Sequence, residues 1–250
     1  MNCDMIYRKF NPPSSLPKKN EEFSSEHQKQ IIHQCHALMS SDYRMNRLEF
    51  GEFEVREAVI DAEYWTAAWL RAEGNWEDRP HERHVDSYKR KYAEQEFNAL
   101  KRRCKEQSIQ KCICIIAVKK AEENVKHTTL KSVAGTLDLS IHHLLHGEAY
   151  PGEVVKARIF STFNRQDQQR YGYISNLYVA KFARRQGIAS NILRFSIESA
   201  KSNGVKQVFV HVHRENKPAQ ELYQKMGFQI VEKATPHLAA EQTYLLVFEA

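Results

Sequence analysis

Arg184-Arg185-Gln186-Gly187-Ile188-Ala189 stands directly after an apolar run typical of a strand and directly before a helical pattern. A turn that enters a helix directs several backbone N–H groups at one point, where the positive end of the helix dipole adds to the field. Gly187 has no side chain, so the backbone can approach a ligand closely. The two arginines add positive charge, which phosphate groups favour. The turn is therefore predicted to hold a diphosphate, and an ordinary basic loop is the alternative for the hexapeptide alone.

The rest of the chain alternates strands and helices around this turn. A strand is predicted through Phe53, Val55 and Ala58–Ile60, and a helix over residues 62–72 with Asp61 as its cap. The later pattern predicts a helix over Val85–Cys104, strands over Lys111–Val118, Ser132–Ile141 and Tyr171–Val179, a helix over Ile188–Ser202, a strand over Val208–Val212, a helix over Lys217–Met226, and strands over Phe228–Val231 and Thr243–Phe248. This order predicts an α/β fold with a mixed sheet.

Composition divides the chain into two parts. Residues 1–45 have little apolar periodicity and are rich in Ser, Pro, Lys and Asn, which predicts a disordered or targeting-derived segment. Residues 46–250 are predicted to form the folded domain. The polar connection over residues 146–170 is long for a compact domain and is interpreted as either functional or disordered.

The overall charge narrows the classes of partner. There are 37 Lys and Arg against 31 Asp and Glu, which gives a net charge of +6 and a pI of about 9.0. A mild basic excess is compatible with a polyanionic cofactor. No stripe of Lys and Arg is interleaved with aromatic residues, so nucleic acid is not expected as a partner. No apolar run approaches the length needed to cross a bilayer, so no membrane partner is expected.

Cysteine and histidine usage does not predict a metal site. Cys112 and Cys114 lie two apart on one face of a predicted strand, and no second pair completes a zinc site. These two cysteines are expected to be reduced, buried and inert, which favours an intracellular compartment. His142, His143 and His146 lack a Cys or Glu at a helical ligand spacing beside them, and a surface cluster is the expected reading.

Two motifs carry a family resemblance. The first is Leu177-Tyr178-Val179 followed by Arg184-x-x-Gly187-x-Ala189. The second is Asn216-x-x-Ala219-x-x-Leu222-Tyr223-x-Lys225-x-Gly227-Phe228. In spacing and order, residues 171–231 resemble the GNAT superfamily of acetyl-CoA-dependent N-acetyltransferases. The resemblance implies a GNAT fold: a mixed, mostly antiparallel sheet of about six to seven strands, about four helices and a splayed central strand pair.

The resemblance also implies how acetyl-CoA is held. The strand through Tyr171–Val179 is expected to bulge and to splay from the strand through Val208–Val212, and the pantetheine arm is expected between them. Backbone groups near Leu177 and Val179 would pair with that arm. The expected cofactor-binding residues are Leu177, Tyr178, Val179, Arg184, Arg185, Gln186, Gly187, Ile188, Ala189, Ser190, Asn216, Lys217, Pro218 and Tyr223. A plain helix cap is the alternative role for Asn216.

Three residues are expected to carry the chemistry. Tyr223 matches the family's usual general acid, which protonates the departing thiolate, and packing of the helix on the sheet is the alternative. Tyr173 and His211 match a tyrosine and a histidine that hold a proton-accepting water in some eukaryotic N-terminal acetyltransferases. Imidazole is suited to accept a proton near neutrality. His213 is an alternative on the same strand face as His211.

The sequences of the two motifs and the long N-terminal region resemble those of plant plastid GNAT enzymes, which acetylate protein N-termini and lysine side chains. Protein or peptide amines are therefore the expected substrates, the plastid the expected compartment with the cytoplasm as the alternative, and a monomer the expected state. The aromatic-proline motif that grips peptides is absent after the first strand, where Val59-Ile60-Asp61-Ala62 stands. A small-molecule amine acetyltransferase, with Glu148 and Glu153 lining its pocket, and a non-catalytic acyl-CoA-binding module remain alternatives.

Overall fold

The computed structural model describes residues 47–77, 83–105, 110–120, 132–145, 147–153, 169–236 and 238–250. The strands are β1 (Leu48–Phe50), β2 (Phe53–Glu57), β3 (Lys111–Lys119), β4 (Val133–His143), β5 (Arg170–Val179), β6 (Gln207–His213), β7 (Gln229–Ile230) and β8 (Thr243–Glu249). The helices are α1 (Asp61–Asn75), α2 (Val85–Lys105), α3 (Ile188–Ser202) and α4 (Lys217–Lys225), with single 3₁₀ turns at Lys181–Ala183 and Glu232–Ala234.

The eight strands form one sheet in the order β1-β2-β3-β4-β5-β6-β8-β7. Every neighbouring pair is antiparallel except β5 and β6, which run parallel because α3 connects them as a crossover. The last strand, β8, pairs with β6 over the whole length of both strands, from Gln207 opposite Glu249 to His213 opposite Thr243. The only parallel pair among these strands therefore lies in the interior of the sheet.

The helices cover opposite faces of the sheet. Side chains of a strand alternate between the two faces, so two neighbouring residues of β4 contact the helices on opposite faces. Arg71 of α1 bonds the side chain of Thr136, whereas the Cα of Gly135 lies against Ile188 and Ile192 of α3. The end of α4 lies on the α3 side as well. We call the α1 and α2 side the front of the sheet and the α3 and α4 side the back.

Most predicted elements are confirmed within one or two residues, and the helix over Ile188–Ser202 has the predicted bounds. The strand β1 was missed. The predicted first strand ends at Glu57, so residues 58–60 lie outside it. Asp61 was wrongly predicted as a helix cap. It is the first residue of α1, Ile60 is the cap position, and the Glu63 carboxylate accepts from the backbone N–H of Val59.

The buried side of α2 includes a charged residue. Its fully buried residues are Ala93, Glu96 and Leu100, whereas Tyr88 is 40% exposed. The physical reason is that Glu96 bonds Arg71 across the helix pair, which turns this polar side chain inward. A charged residue at a buried position gives no apolar periodicity to recognise.

The two cysteines of β3 differ in their burial. Cys114 is buried as expected, but Cys112 is only partly buried and its Sγ lies 3.5 Å from the Sγ of Cys104. Residues 1–46 and most of the 146–170 connection lie outside the described residues, so the division at residue 45 remains a prediction.

The back of β4 is packed tightly at Gly135. A Cβ there would lie 2.9 Å from Ile192 Cδ1, 3.0 Å from Ile188 Cγ2 and 3.3 Å from the carbonyl oxygen of Tyr178. We expect Gly135→Ala to lower the free energy of unfolding by about 1–3 kcal/mol, because the first turn of α3 must move away from the sheet. Denaturant unfolding measures this.

Ile192→Val provides the control, since it removes the methyl group that the new Cβ would meet first. The double variant should then lose less stability than the two single variants together. Fully additive losses would contradict the predicted clash.

Candidate active site

The parallel strands β5 and β6 part in the middle of the sheet. Their register pairs run from Tyr171 opposite Gln207 to Ile174 opposite Val210 and end there. The remaining part of β6 stays with β8, and the remaining part of β5 stays with β4. Among the described strands, the backbone of residues 175–179 therefore has no partner on the β6 side. This is the splay that the sequence predicted, and we call the gap between the two strands beyond Ile174 and Val210 the cleft.

A bulge lies in β5 on the lip of this cleft. Asp138 pairs with Ser175 and Thr136 pairs with Tyr178, so β5 has one residue more than β4 between these two pairs. Asn176 lies in the extra stretch with a φ of 55°, in the left-handed region that asparagine tolerates better than most residues. The bulge bends the strand and turns its backbone groups away from a regular ladder.

The predicted diphosphate turn enters α3 beside the cleft. After the 3₁₀ turn, Arg185 has a φ of 66° and Gly187 has a φ of 77°. Gly187 is the cap residue of α3 and supplies no side-chain hydrogen bond to it. The first intrahelical bond runs from Asn191 N to Gly187 O, so the N–H groups of the turn before it have no partner within the helix. This arrangement presents free donors at the positive end of a fifteen-residue helix.

Arg184 does not extend freely over this turn. Its Nη1 donates to Glu77 Oε1 at 2.7 Å and its Nε donates to the carbonyl oxygen of Val179 at 3.1 Å. Its guanidinium also lies over the Tyr178 ring, 5.6 Å from the centroid. The Arg184 side chain holds the pKa of Glu77 below its usual value, and Lys181 adds to this effect. Glu77 was missed by the sequence analysis, because a contact across 107 residues leaves no local pattern.

Tyr173 and His211 meet on the front of the sheet, where β5 and β6 part. Tyr173 Oη lies 2.8 Å from His211 Nδ1. Either atom can donate, since the tautomer of the imidazole decides the direction. Burial lowers the pKa of His211 below its usual value, which keeps the ring neutral near pH 7. The predicted alternative, His213, is exposed and its Nδ1 accepts from the backbone N–H of Glu215.

An aromatic group surrounds this pair. His142 stacks on Tyr171 with the ring centroids 5.4 Å apart and meets the Tyr173 ring edge-on. The interpretation of His142 as part of a surface cluster is therefore incomplete, because its ring is half-buried and its pKa is lowered by that burial. His143 is exposed, and His146 lies outside the described residues. Among the residues that the structure describes, no group of three or more metal ligands is present.

Asn216 and Tyr223 belong to α4, the first as its cap residue and the second near its end. Asn216 caps α4, with its Oδ1 accepting from Ala219 N at 3.2 Å, and Lys217 and Pro218 form the exposed first turn. Tyr223 is 6% exposed and packs edge-on against Phe228. Its neighbour Leu222 is less buried. Burial raises the pKa of Tyr223, and the nearby Tyr173 phenol adds to the effect, so Tyr223 keeps its proton.

The family model for acetyltransferase (GNAT) matches residues 63–228, which span α1 to the residue before β7. The chain belongs to the GNAT acetyltransferase family. Acetyl-CoA, the co-substrate that the sequence predicted, is thereby confirmed for this GNAT chain. The GNAT fold is confirmed too, with eight strands instead of the expected six or seven.

Two relatives from Arabidopsis thaliana are similar over most of the GNAT chain. It is 61% identical to GCN5-related N-acetyltransferase 6, chloroplastic, over 81% of this chain and 70% of the relative. It is 30% identical to GCN5-related N-acetyltransferase 7, chloroplastic, over 79% of this chain and 74% of the relative. These relatives confirm the plastid location expected from the sequence. Among solved structures, Arabidopsis thaliana NAA60 in complex with acetyl-CoA is 16% identical, with a TM-score of 0.45 over 79% of this chain and 98% of that chain.

Gly187→Ala tests whether the turn holds the co-substrate. Alanine at a φ of 77° costs about 1 kcal/mol of stability and shifts the backbone that the turn presents. We expect a weaker affinity for acetyl-CoA, measured by calorimetric titration.

Gly204→Ala is a matched control at the opposite end of α3. Gly204 has a φ of 71°, and a Cβ there meets nothing within 4 Å. The two variants should lose similar stability, and only Gly187→Ala should lose affinity. Equal affinities in both variants would remove the turn from the binding site.

Proposed function

We propose that this chain transfers the acetyl group of acetyl-CoA to protein amines, to the N-terminal α-amine foremost and to the lysine ε-amine as well. The observation that carries this proposal is the hydrogen-bonded pair of Tyr173 and His211 at the parting of β5 and β6. The pair lies on the front of the sheet, whereas the diphosphate turn begins the helix on the back. An amine that enters from the front therefore reaches the cleft opposite the co-substrate.

Acetyl-CoA supplies the acetyl group activated as a thioester. The neutral imidazole of His211 accepts the proton that the amine loses as the new C–N bond forms, directly or through one water. Because Tyr173 and His211 touch, such a water would lie beside the pair and not between its members. Backbone N–H groups near Leu177 and Val179 would stabilise the negative charge that develops on the carbonyl oxygen. Tyr223 donates its phenolic proton to the sulfur as the C–S bond breaks.

The protonation states of His211 and Tyr223 suit their opposite roles as base and acid. Burial lowers the pKa of His211, so the base is unprotonated, and raises the pKa of Tyr223, so the acid is protonated. The proton that the amine loses and the proton that the sulfur gains thus belong to two different residues, His211 and Tyr223. The proposed reaction needs no covalent acetyl-enzyme intermediate.

The preference for an α-amine follows from the proton equilibrium of the substrate. An α-amine with a pKa of about 7.7–8.0 is roughly one-tenth neutral at pH 7, whereas a lysine amine with a pKa of about 10.4 is neutral to less than about 0.1%. Only the neutral amine attacks. The same site should therefore acetylate N-termini faster, unless it lowers the pKa of a bound lysine.

A small-molecule amine as substrate is less well supported. An acidic pocket formed by Glu148 and Glu153 was the feature that would favour it. Both carboxylates instead bind their own loop: Glu148 accepts from Leu145 N at 2.9 Å and Glu153 accepts from Ala149 N at 2.6 Å. Their negative charges are engaged in local turns.

A mixture of two peptide sets tests the proposal. One set has free N-termini and no lysine, and the other has blocked N-termini and one lysine. Incubation with acetyl-CoA should acetylate the first set faster than the second, and mass spectrometry of the peptides measures both rates. Tyr223→Phe should slow both by about 10²–10⁴-fold, since it removes the proton donor.

Tyr64→Phe is the matched control for this variant. It also removes a buried hydroxyl, which lies on α1 near the β3 residues Cys112 and Cys114 and donates to the carbonyl oxygen of Ala58. Activity should persist in Tyr64→Phe. Binding of acetyl-CoA without acetylation of either set would exclude protein amines and favour a small amine or a non-catalytic role.

The pH dependence tests the role of His211. With an α-amine substrate, kcat/KM should depend on one proton near pH 7, because the amine must be neutral. At pH values below the lowered pKa of His211, kcat/KM should also fall with a second proton, because the base itself becomes protonated. His211→Gln should remove this second dependence and lower kcat. His213→Gln, the exposed neighbour on the same face, should retain it, and a profile unchanged in His211→Gln would contradict the assignment.

A further inference from the structure

A buried ion cluster lies beneath the bulge of β5, on the front of the sheet. Arg71 of α1 is 5% exposed and donates to Glu96 Oε1 at 2.7 Å. It also holds the Asp138 carboxylate with both terminal nitrogens, at 2.7 Å and 3.0 Å. Arg103 completes the cluster at 3.2 Å from Glu96 and 3.3 Å from Asp138. Two cations and two anions balance. Arg103 is partly exposed, but taking the charges of Arg71, Glu96 and Asp138 from water costs free energy that apolar packing would not.

The cluster meets β4 at the two residues that border the register shift. Nη2 of Arg71 donates to Thr136 Oγ1 at 3.0 Å and to Asp138 Oδ1 at 2.7 Å. These are the residues between which the pairing of β4 with β5 slips by one position. The buried guanidinium of Arg71 thus binds β4 on both sides of the register shift.

The cluster reaches the bulge itself through Asn176. Its Nδ2 donates to Asp138 Oδ2 at 3.0 Å, the oxygen that also accepts from Arg71 and Arg103. The backbone of Asn176 has a φ of 55°, and its side chain is otherwise exposed at the cleft. A hydrogen bond to a buried carboxylate therefore ties the left-handed residue of β5 to the charges under β4. Such charge-assisted bonds are stronger than bonds between neutral groups.

We propose that Arg71, Asp138 and Asn176 are positioning residues that hold the bulge of β5 in the shape that binds acetyl-CoA. The proposal rests on the placement of acetyl-CoA in the cleft between β5 and β6. Without the bond to Asp138, the bulge can relax toward a regular strand, and only the bulged form presents its backbone groups to the cleft. The apparent affinity then falls in proportion to the fraction of molecules that remain bulged. Saturating acetyl-CoA draws the population back, so KM rises while kcat is preserved.

Asn176→Asp tests the bond with little change in shape. Aspartate tolerates the left-handed conformation as asparagine does, but it has no amide donor and places a second carboxylate against Asp138. We expect the Kd for acetyl-CoA to rise about tenfold, measured by calorimetric titration. The melting temperature should change little, since Asn176 is exposed. Asn176→Gly removes the donor without adding a charge and should give a smaller rise in Kd.

Asn203→Asp is the matched control. Asn203 also donates from its side-chain amide, to Ser199 O at 2.7 Å, and lies at the far end of α3. The Kd of Asn203→Asp for acetyl-CoA should equal that of the unchanged chain. The proposal would be overturned if the Kd of Asn176→Asp for acetyl-CoA stayed within about twofold of that of the unchanged chain. An equal rise of the Kd in Asn203→Asp would overturn it as well. So would a rise accompanied by a large fall in melting temperature. Because Kd needs no acceptor amine, these outcomes stay separate from those of the peptide experiment.

Discussion

The incomplete pairing of β5 with β6 is the constraint on which the rest of the site depends. A strand in the interior of a sheet normally satisfies its backbone groups on both sides. Here β6 follows β8 to its end, and β5 follows β4 to its end, so the two strands share only the pairs from Tyr171 to Ile174. The backbone groups beyond that point need another partner. In the proposed complex with acetyl-CoA, the amide groups of the pantetheine arm would supply one.

Two sets of charges lie at the turn before α3: its backbone N–H groups, and the ion pair of Glu77 with Arg184. At the start of α3, unpaired N–H groups and the helix dipole favour an anion, but Glu77 occupies Arg184 and contacts Lys181. The Glu77 carboxylate therefore offsets the positive charge that Arg184 was expected to add for a diphosphate. Arg184 links the end of α1 to the turn, and its bond to Val179 O closes one carbonyl at the end of β5. Its role in this structure is to hold the turn in place.

The parts of the fold that local patterns encode were predictable. Gly187 before α3 and Asn203-Gly204 after it mark both ends of that helix, and the helix has those bounds. The strands Lys111–Lys119 and Thr243–Glu249 are long enough for their apolar residues to show. The three residues of β1 are too few to form a pattern. At Asp61, the rule for helix caps failed because Lys101 and Lys105 of α2 bind its carboxylate in the first turn.

The site was predictable where one motif carries all its parts. The turn before α3 and the cap of α4 are local, whereas the network of Arg71, Glu96 and Asp138 joins three elements across as many as 67 residues. Each of these charges looks like an isolated polar residue in its own segment. Only the register shift between β4 and β5 brings them under Asn176.

The burial of these charges argues for a role in specificity. An apolar cluster of the same volume is often as stable as a buried ion pair, or more so, but it gives no directional bond. The carboxylate of Asp138 accepts from α1, α2 and β5 at once, so its four bonds are satisfied only in one arrangement of these elements. A regular pairing of β5 with β4 would leave one donor of that set without its acceptor. The loss of this charge-assisted bond from Asn176 to the buried Asp138 carboxylate then acts against the flat strand and in favour of the bulged one.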